Sequence, residues 1–176
     1  MLGCQSQQEP SETVVNTQNE VNVPDQESWQ ATIIITREGQ KVAEVWAGHI
    51  LYYKKRNETL LKDSIHVDFF DNAGQHNSVL TAQEGRVDNA TNNLEAKGKV
   101  VVVSDSGIVL QTEILQWDNR RQKIISEVPV IFTTETDTII GDAFISDADL
   151  KNYEIKNPRG YSRRKVPLKT TTPEAP

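Results

Sequence analysis

Cys4 is the only cysteine in this chain of 176 residues, and it stands in the opening MLGCQSQQEP directly after Leu2-Gly3. A lone thiol cannot close an internal disulfide, and it cannot supply the two or more thiolates of the common structural zinc patterns. It can accept a lipid, because it follows a small residue as a lipobox cysteine does. The basic and apolar regions of a signal peptide are missing before it, so lipidation requires a longer precursor or a different start. The competing reading is an incidental free thiol. The imidazoles His49, His66 and His76 lie 17 and 10 residues apart. That spacing fits no compact metal motif, and no metal site is expected. G-x-S-x-G, H-E-x-x-H and a phosphate-binding glycine loop are all missing, so no catalytic residue or cofactor is assigned and no enzyme is expected. Carboxylates are plentiful, but spacing alone singles out no pair for glycoside hydrolysis. Asn57-Glu58-Thr59 and Asn89-Ala90-Thr91 match a glycosylation pattern that matters only in a eukaryotic secreted protein. The basic clusters Lys54-Lys55-Arg56 and Arg163-Arg164-Lys165 read as solvated, with lipid phosphates as the alternative contact. A formal charge of -6 argues against nucleic acid as a partner.

Such residues need a scaffold, and the composition is that of one domain with tails, 36% hydrophobic and 25% charged. Residues 1–28 hold five acidic residues and no Lys or Arg. They are too polar to bury a core and read as a flexible linker. Residues 158–176 are rich in proline and threonine and read as a disordered tail. Between them, at 29–157, short β-branched runs such as WQATIIIT (29–36), VVVVS (100–104), IVLQTEIL (108–115) and VIFTT (130–134) alternate with turn signals. The turn signals are REG (37–39), DNAG (71–74), SDSG (104–107), WDNR (117–120) and SEVP (126–129). This pattern predicts an all-β sandwich, barrel or solenoid. No run of 18 apolar residues is present to form a membrane helix. Leu80, Leu110 and Ile140 are spaced by 30, and Val87-Asp88-Asn89 matches Trp117-Asp118-Asn119 at the same offset. Stacked units of that length would bury a continuous apolar strip.

The ordered series Leu80-Thr81-Ala82, Gly98-Lys99-Val100, Leu110-Gln111-Thr112-Glu113, Leu115-Gln116-Trp117-Asp118, Ile124 with Val128-Pro129-Val130, Ile140-Gly141 and Asp149-Leu150-Lys151-Asn152-Tyr153 resembles the LptC family. The resemblance covers roughly residues 42–160. It implies the periplasmic component of the lipopolysaccharide-export ABC transporter. The implied fold is an antiparallel β-jellyroll of the taco kind, two sheets folded over an apolar groove that holds acyl chains. The implied partners are lipopolysaccharide, the inner-membrane Lpt subunits and an LptA-like periplasmic protein that docks by edge-strand pairing. The implied place is the periplasmic face of the inner membrane. Members of the family are usually tethered there by an N-terminal helix, for which a lipidated Cys4 would substitute.

The groove candidates are Val101, Val103, Leu110, Ile114, Leu115, Trp117, Ile124, Val130, Phe132, Ile140, Phe144 and Ile145. Taken singly, each is equally a plain core residue, and only the resemblance turns the set into a groove. The partner-edge candidates are Ile145, Tyr153 and Ile155 in the last repeat, with the opposite edge around residues 30–53. Two other readings stay open. One is a cell-envelope β-solenoid scaffold with a solid core and no lipid. The other is a carbohydrate-binding module, against which an aromatic content of 6% counts.

Overall fold

A computed structural model of the chain describes residues 23–162. Cys4, most of the expected linker and most of the expected tail lie outside the described residues. Thirteen strands form one antiparallel sheet, and no helix occurs among the described residues. In chain order they are β1 (Gln26–Arg37), β2 (Gln40–Tyr53), β3 (Glu58–Phe70), β4 (His76–Ala82), β5 (Glu84–Asp88), β6 (Asn93–Ser104), β7 (Val109–Asp118), β8 (Lys123–Ser126), β9 (Val130–Thr133), β10 (Asp137–Gly141), β11 (Ala143–Ser146), β12 (Tyr153–Lys156) and β13 (Arg159–Ser162).

Turn chemistry explains the connections. Glu38 and Gly39 both take positive φ, 51° and 79°. A two-residue hairpin turn needs that conformation to match the strand twist. After β3, the Asp71 carboxylate accepts the N–H groups of Ala73 and Gln75 at 2.8 and 2.9 Å, which closes the next turn. Within strands, alternation sets the faces. Ile65, Val67 and Phe69 are buried while His66 and Asp68 point the other way.

The long strands change partners halfway. The first part of β1, the second part of β2, the first part of β3, β5, the first part of β6, the second part of β7, β8, β11 and β12 pair in that order as one layer. The remaining parts pair with β4, β9, β10 and β13 as a second layer. The chain crosses between layers at Gln30, Gly48, Asp63-Ser64, Gln83, Gly98-Lys99, Glu113-Ile114, Glu127–Pro129, Asp142 and Asn157-Pro158. Register breaks mark the bends at Gly48 and Gly98-Lys99. Positive φ angles mark Gln30, Asp63, Ser64, Gly98, Lys99 and Asn157. These are bulge signatures, and bulges bend strands sharply. Because every strand bends at the same height, the sheet folds along one crease. The result is an all-β antiparallel jellyroll.

From Gln83 onward the bends fall at 83, 98, 113, 128, 142 and 157, so neighbours are 14 or 15 residues apart. The 30-residue repeat is two such crossings. Its turns also interlock, since Asn89 N–H donates to Asn57 O at 3.0 Å and Asn119 N–H donates to Asn93 Oδ1 at 2.9 Å. The bend at 142 comes one residue early, and a one-residue slip reverses faces. Leu80 and Leu110 are therefore buried, while Ile140 turns outward and is 44% exposed. Its neighbour Ile139 packs against the core instead.

Three expectations change. SEVP (126–129) is a bend between layers rather than a hairpin turn, because β8 and β9 pair with different parts of β7. β1 begins at Gln26, inside the expected linker. The expected tail supplies β13, which pairs with β10 from Asp137↔Ser162 to Ile140↔Arg159. Backbone pairing needs little from side-chain composition, so a basic, proline-flanked segment can serve.

Candidate functional site

The space between the layers is apolar from one end to the other. One cluster of buried residues joins Ile35 of β1 to Phe144 of β11, with Ile155 of β12 packed against it. Nine strands at the usual spacing of about 4.8 Å make this strip on the order of 38 Å long. Seven sequence candidates line it: Leu110, Leu115, Trp117, Ile124, Val130, Phe132 and Phe144, none more than 3% exposed. Three ring contacts span the layers. Phe69 meets Trp117 at 4.8 Å between centroids, and Phe132 lies 4.3 Å from Tyr153 and 5.5 Å from Phe144.

The other five groove candidates correct the sequence reading. Val101, Val103, Ile114, Ile140 and Ile145 sit on the outer side of their strands, partly or largely exposed. Alternation places Val101 and Val103 opposite in direction to buried Val100 and Val102. The bend in β7 shifts phase, so Thr112 and Leu115 face inward and Ile114 does not. Val101, Ile131 and Ile140 instead border an open depression of about 610 Å³ on the outer surface beside the crease. The groove candidates also miss the N-terminal half. Val45, Leu61, Val67, Phe69 and Leu80 are at most 1% exposed and line the same interior. The alternation in SIHVDFF (64–70) was the available signal for Val67 and Phe69.

Crossing the crease leaves backbone carbonyls without ladder partners, and hydroxyls stand beside them. Ser126 Oγ is 2.9 Å from Ile114 O and 3.1 Å from Val128 O, and Thr112 Oγ1 is 3.0 Å from Pro129 O. Burying such carbonyls unpaired would cost about 1–3 kcal/mol each. Three buried donors away from the crease have no partner among the described residues, Asn89 Nδ2 in the β5–β6 turn, Trp117 Nε1 and Ser146 Oγ.

The open side is crossed by the β11–β12 connection, residues 147–152. This strap starts on the first layer, where Lys123 Nζ pairs with Asp147. It reaches the second layer, where buried Ser78 Oγ donates to Ala148 O at 2.6 Å. The Lys123 ammonium bonded to it holds the Asp147 carboxyl below the usual carboxylate range. Leu150 is fully buried at a positive φ of 60°. A side chain in that conformation costs about 1–2 kcal/mol, so the packing must hold it there.

The sheet ends differ. Among the described residues β1 pairs only with β2, β12 only with β11 and β13 only with β10. Tyr153 and Ile155 thus lie on an edge strand of the described residues. Ile145 does not, because β11 is paired with β8 on one side and β12 on the other. At the opposite end the free edge is β1, while β2 is paired on both sides. The histidines are surface groups. His49 stacks on Trp29 at 5.1 Å. His76 sits between Asp105 at 2.8 Å and Asp68 at 3.2 Å, and the Asp105 hydrogen bond raises its pKa. Exposed pairs of this kind contribute little stability. No group of three or more His, Cys, Asp or Glu among the described residues is placed to hold a metal ion. No helix among them is long and apolar enough to cross a membrane.

No curated protein matches the chain. The family model described as "Lipopolysaccharide-assembly, LptC-related" matches residues 5–161, which takes in the whole jellyroll up to β13. With an all-β, creased double layer over an apolar strip, the chain belongs to the LptC-related family of lipopolysaccharide assembly, a transport-associated family of the bacterial envelope.

Proposed function

We propose that this protein is a lipopolysaccharide carrier and bridge: it receives lipopolysaccharide from an inner-membrane ABC transporter and passes it along its interior to an LptA-like periplasmic partner. The observation that carries this reading is the apolar strip that runs unbroken between free edges at β1 and β12. Each acyl methylene buried there contributes about 0.8 kcal/mol, so chains can be held without a dedicated polar contact. The ring contacts between layers mean that the layers must part about the crease to admit them. Lipid A bearing an apolar photoprobe on an acyl chain is expected to label inward residues such as Leu110 and Phe132. A folded protein that takes no label at those positions defeats the reading.

Two of the free edges, those of β12 and β1, supply the bridge. An unpaired strand invites another chain to pair with it. The β12 edge is assigned to the LptA-like partner and the β1 edge to the transporter's periplasmic domains. A lipid on Cys4 supplies the tether to the inner membrane. The 21 residues from Gln5 to Asp25, which precede β1, would reach roughly 70 Å if extended and average about 23–27 Å if flexible. Incorporation of a palmitate analogue should disappear in Cys4→Ser, and incorporation that survives the change excludes this anchor.

A second reading is a scaffold with a solid core and no lipid cargo. The layers' close packing, with Phe69 against Trp117 and Phe132 against Phe144, favours it. The photoprobe separates the two readings.

A further inference from the structure

We propose that the open side of the jellyroll, beneath the strap 147–152, is a recognition site for the ester and amide linkages of acyl chains. Trp117 Nε1 and Ser146 Oγ are its donors, and Leu150 holds the place of the incoming chain. This rests on the carrier reading and says where and how that cargo is gripped.

Three independent observations meet here. First, Trp117 and Ser146 are 3% and 1% exposed, yet Trp117 Nε1 and Ser146 Oγ lack any hydrogen-bond partner among the described residues. A buried donor without a partner is destabilising, and its persistence calls for a reason. Second, both lie on one cross-strand row. Trp117 faces Ile124, Ile124 faces Ser146, and Ser146 faces Tyr153. Two strand spacings put the donors roughly 9–10 Å apart on the inner face. Linkages on neighbouring atoms of one sugar ring lie much closer than that, so the spacing suits acyl linkages carried on two joined sugars. Third, the cover is movable in construction. The strap carries a strained Leu150 and is tied to the far layer by the bond from Ser78 to Ala148 O. Its base is tied by Lys123 to Asp147, a pair about one-third exposed. An anionic headgroup arriving there competes with Asp147 for Lys123, with Arg121 and Lys151 bordering the same surface hollow. Acyl linkages offer carbonyl acceptors to the two donors, and the chains beyond them take the space that Leu150 vacates.

The test uses the full chain and lipid A. Trp117→Phe keeps a ring against Phe69 but removes the N–H, and Ser146→Ala removes the hydroxyl. Each is expected to weaken lipid A binding about fivefold, the value of one hydrogen bond. Trp117→Phe also shrinks a buried ring and should lower the midpoint slightly, but the midpoint of Ser146→Ala should hold or rise, because its hydroxyl has no partner among the described residues. A merely structural role would lower that midpoint. Hydrogen exchange at the strap amides, which include Leu150 N–H bonded to Asp147 O at 3.1 Å, should speed up on loading, while Val102 in β6 stays protected. Unchanged lipid A affinity in both variants overturns the site, as does a strap that stays protected in the loaded protein. Lipid A that fails to bind the unaltered chain overturns the carrier reading itself, and this site with it.

Discussion

Valine at Gly48 is expected to lower the thermal midpoint by about 6–12 °C, since a clash costing roughly 3 kcal/mol moves a domain of this size by 2–4 °C per kcal/mol. Gly48 is the bend of β2, and the neighbouring bend of β3 passes directly beside it. A Cβ at Gly48 would stand 2.4 Å from the Asp63 carbonyl oxygen and 2.9 Å from the Asp63 Cβ. Neither neighbour can swing aside. Asp63 and Ser64 are already held at φ 59° and 71°, a conformation allowed to few side chains. Relief would require the bends of β2 and β3 to separate, which unpairs both layers at once. Gly74 makes a useful control. It has open space around its Cβ position but a φ of 75°, so alanine there should cost only about 1 kcal/mol. Thermal melts followed by circular dichroism decide the matter. A midpoint for Gly48→Val within 2 °C of the unaltered chain, by the same scale, would show that the crease yields freely.

Proline at Ile155 should cut capture of the LptA-like partner by tenfold or more, whereas alanine there should not. The asymmetry comes from the edge geometry. Asp147 N–H donates to Asn152 O at the start of the β11–β12 ladder. Antiparallel pairs alternate between bonded and non-bonded. With the register Ile145↔Glu154 and Phe144↔Ile155, the N–H groups of Glu154 and Lys156 turn toward β11. Those of Tyr153 and Ile155 face outward. Proline at 155 removes an outward donor and leaves the internal ladder intact. Its side-chain loss from the core is matched by the alanine variant, so the difference between the two reads the backbone alone. Loss of one interface hydrogen bond, with the steric block of a proline ring on an edge, corresponds to about 1.4 kcal/mol or more. Equal capture by both variants would move the docking surface off this edge.

Much of the fold was legible because strands and their turns are local matters. Val100–Val103 and Ile65–Phe69 announce strands through branched and aromatic side chains. Glu38-Gly39 and Asp71–Gln75 announce turns. The 30-residue recurrence of Asp-Asn was readable too, and the structure shows its cause in the row of interlocked turns at Asn57, Asn89 and Asn119. The crease was not readable. Its residues, among them Gly98-Lys99, Glu113-Ile114 and Glu127–Pro129, resemble ordinary polar strand positions or turns. What makes them bends is the alignment of neighbours across the sheet, a non-local fact.

That omission explains the errors in the site. Counting inward and outward from a run of apolar residues fails wherever a bend changes parity, as at Ile114 and Ile140. Ile145 reads as an edge residue because it falls in the last repeat with Tyr153 and Ile155, yet β11 is paired on both sides and only β12 of that repeat ends its layer. The unpaired Trp117 and Ser146 carry no sequence signature, since nothing local says whether a hydroxyl or an indole will find a partner.

The regular interval between bends has a bearing on how such a protein can change size. Every crossing brings one strand to each layer without altering the cross-section, and the hairpin turns alternate from rim to rim. Inserting a 30-residue unit would therefore lengthen the trough by two strand spacings, about 9.6 Å, and leave the outermost strands as they were. Growth by such duplications conserves both ends of the molecule while only its span increases. An insertion of half that length would instead reverse the direction in which the final strand runs, and would present any docking partner with the opposite polarity.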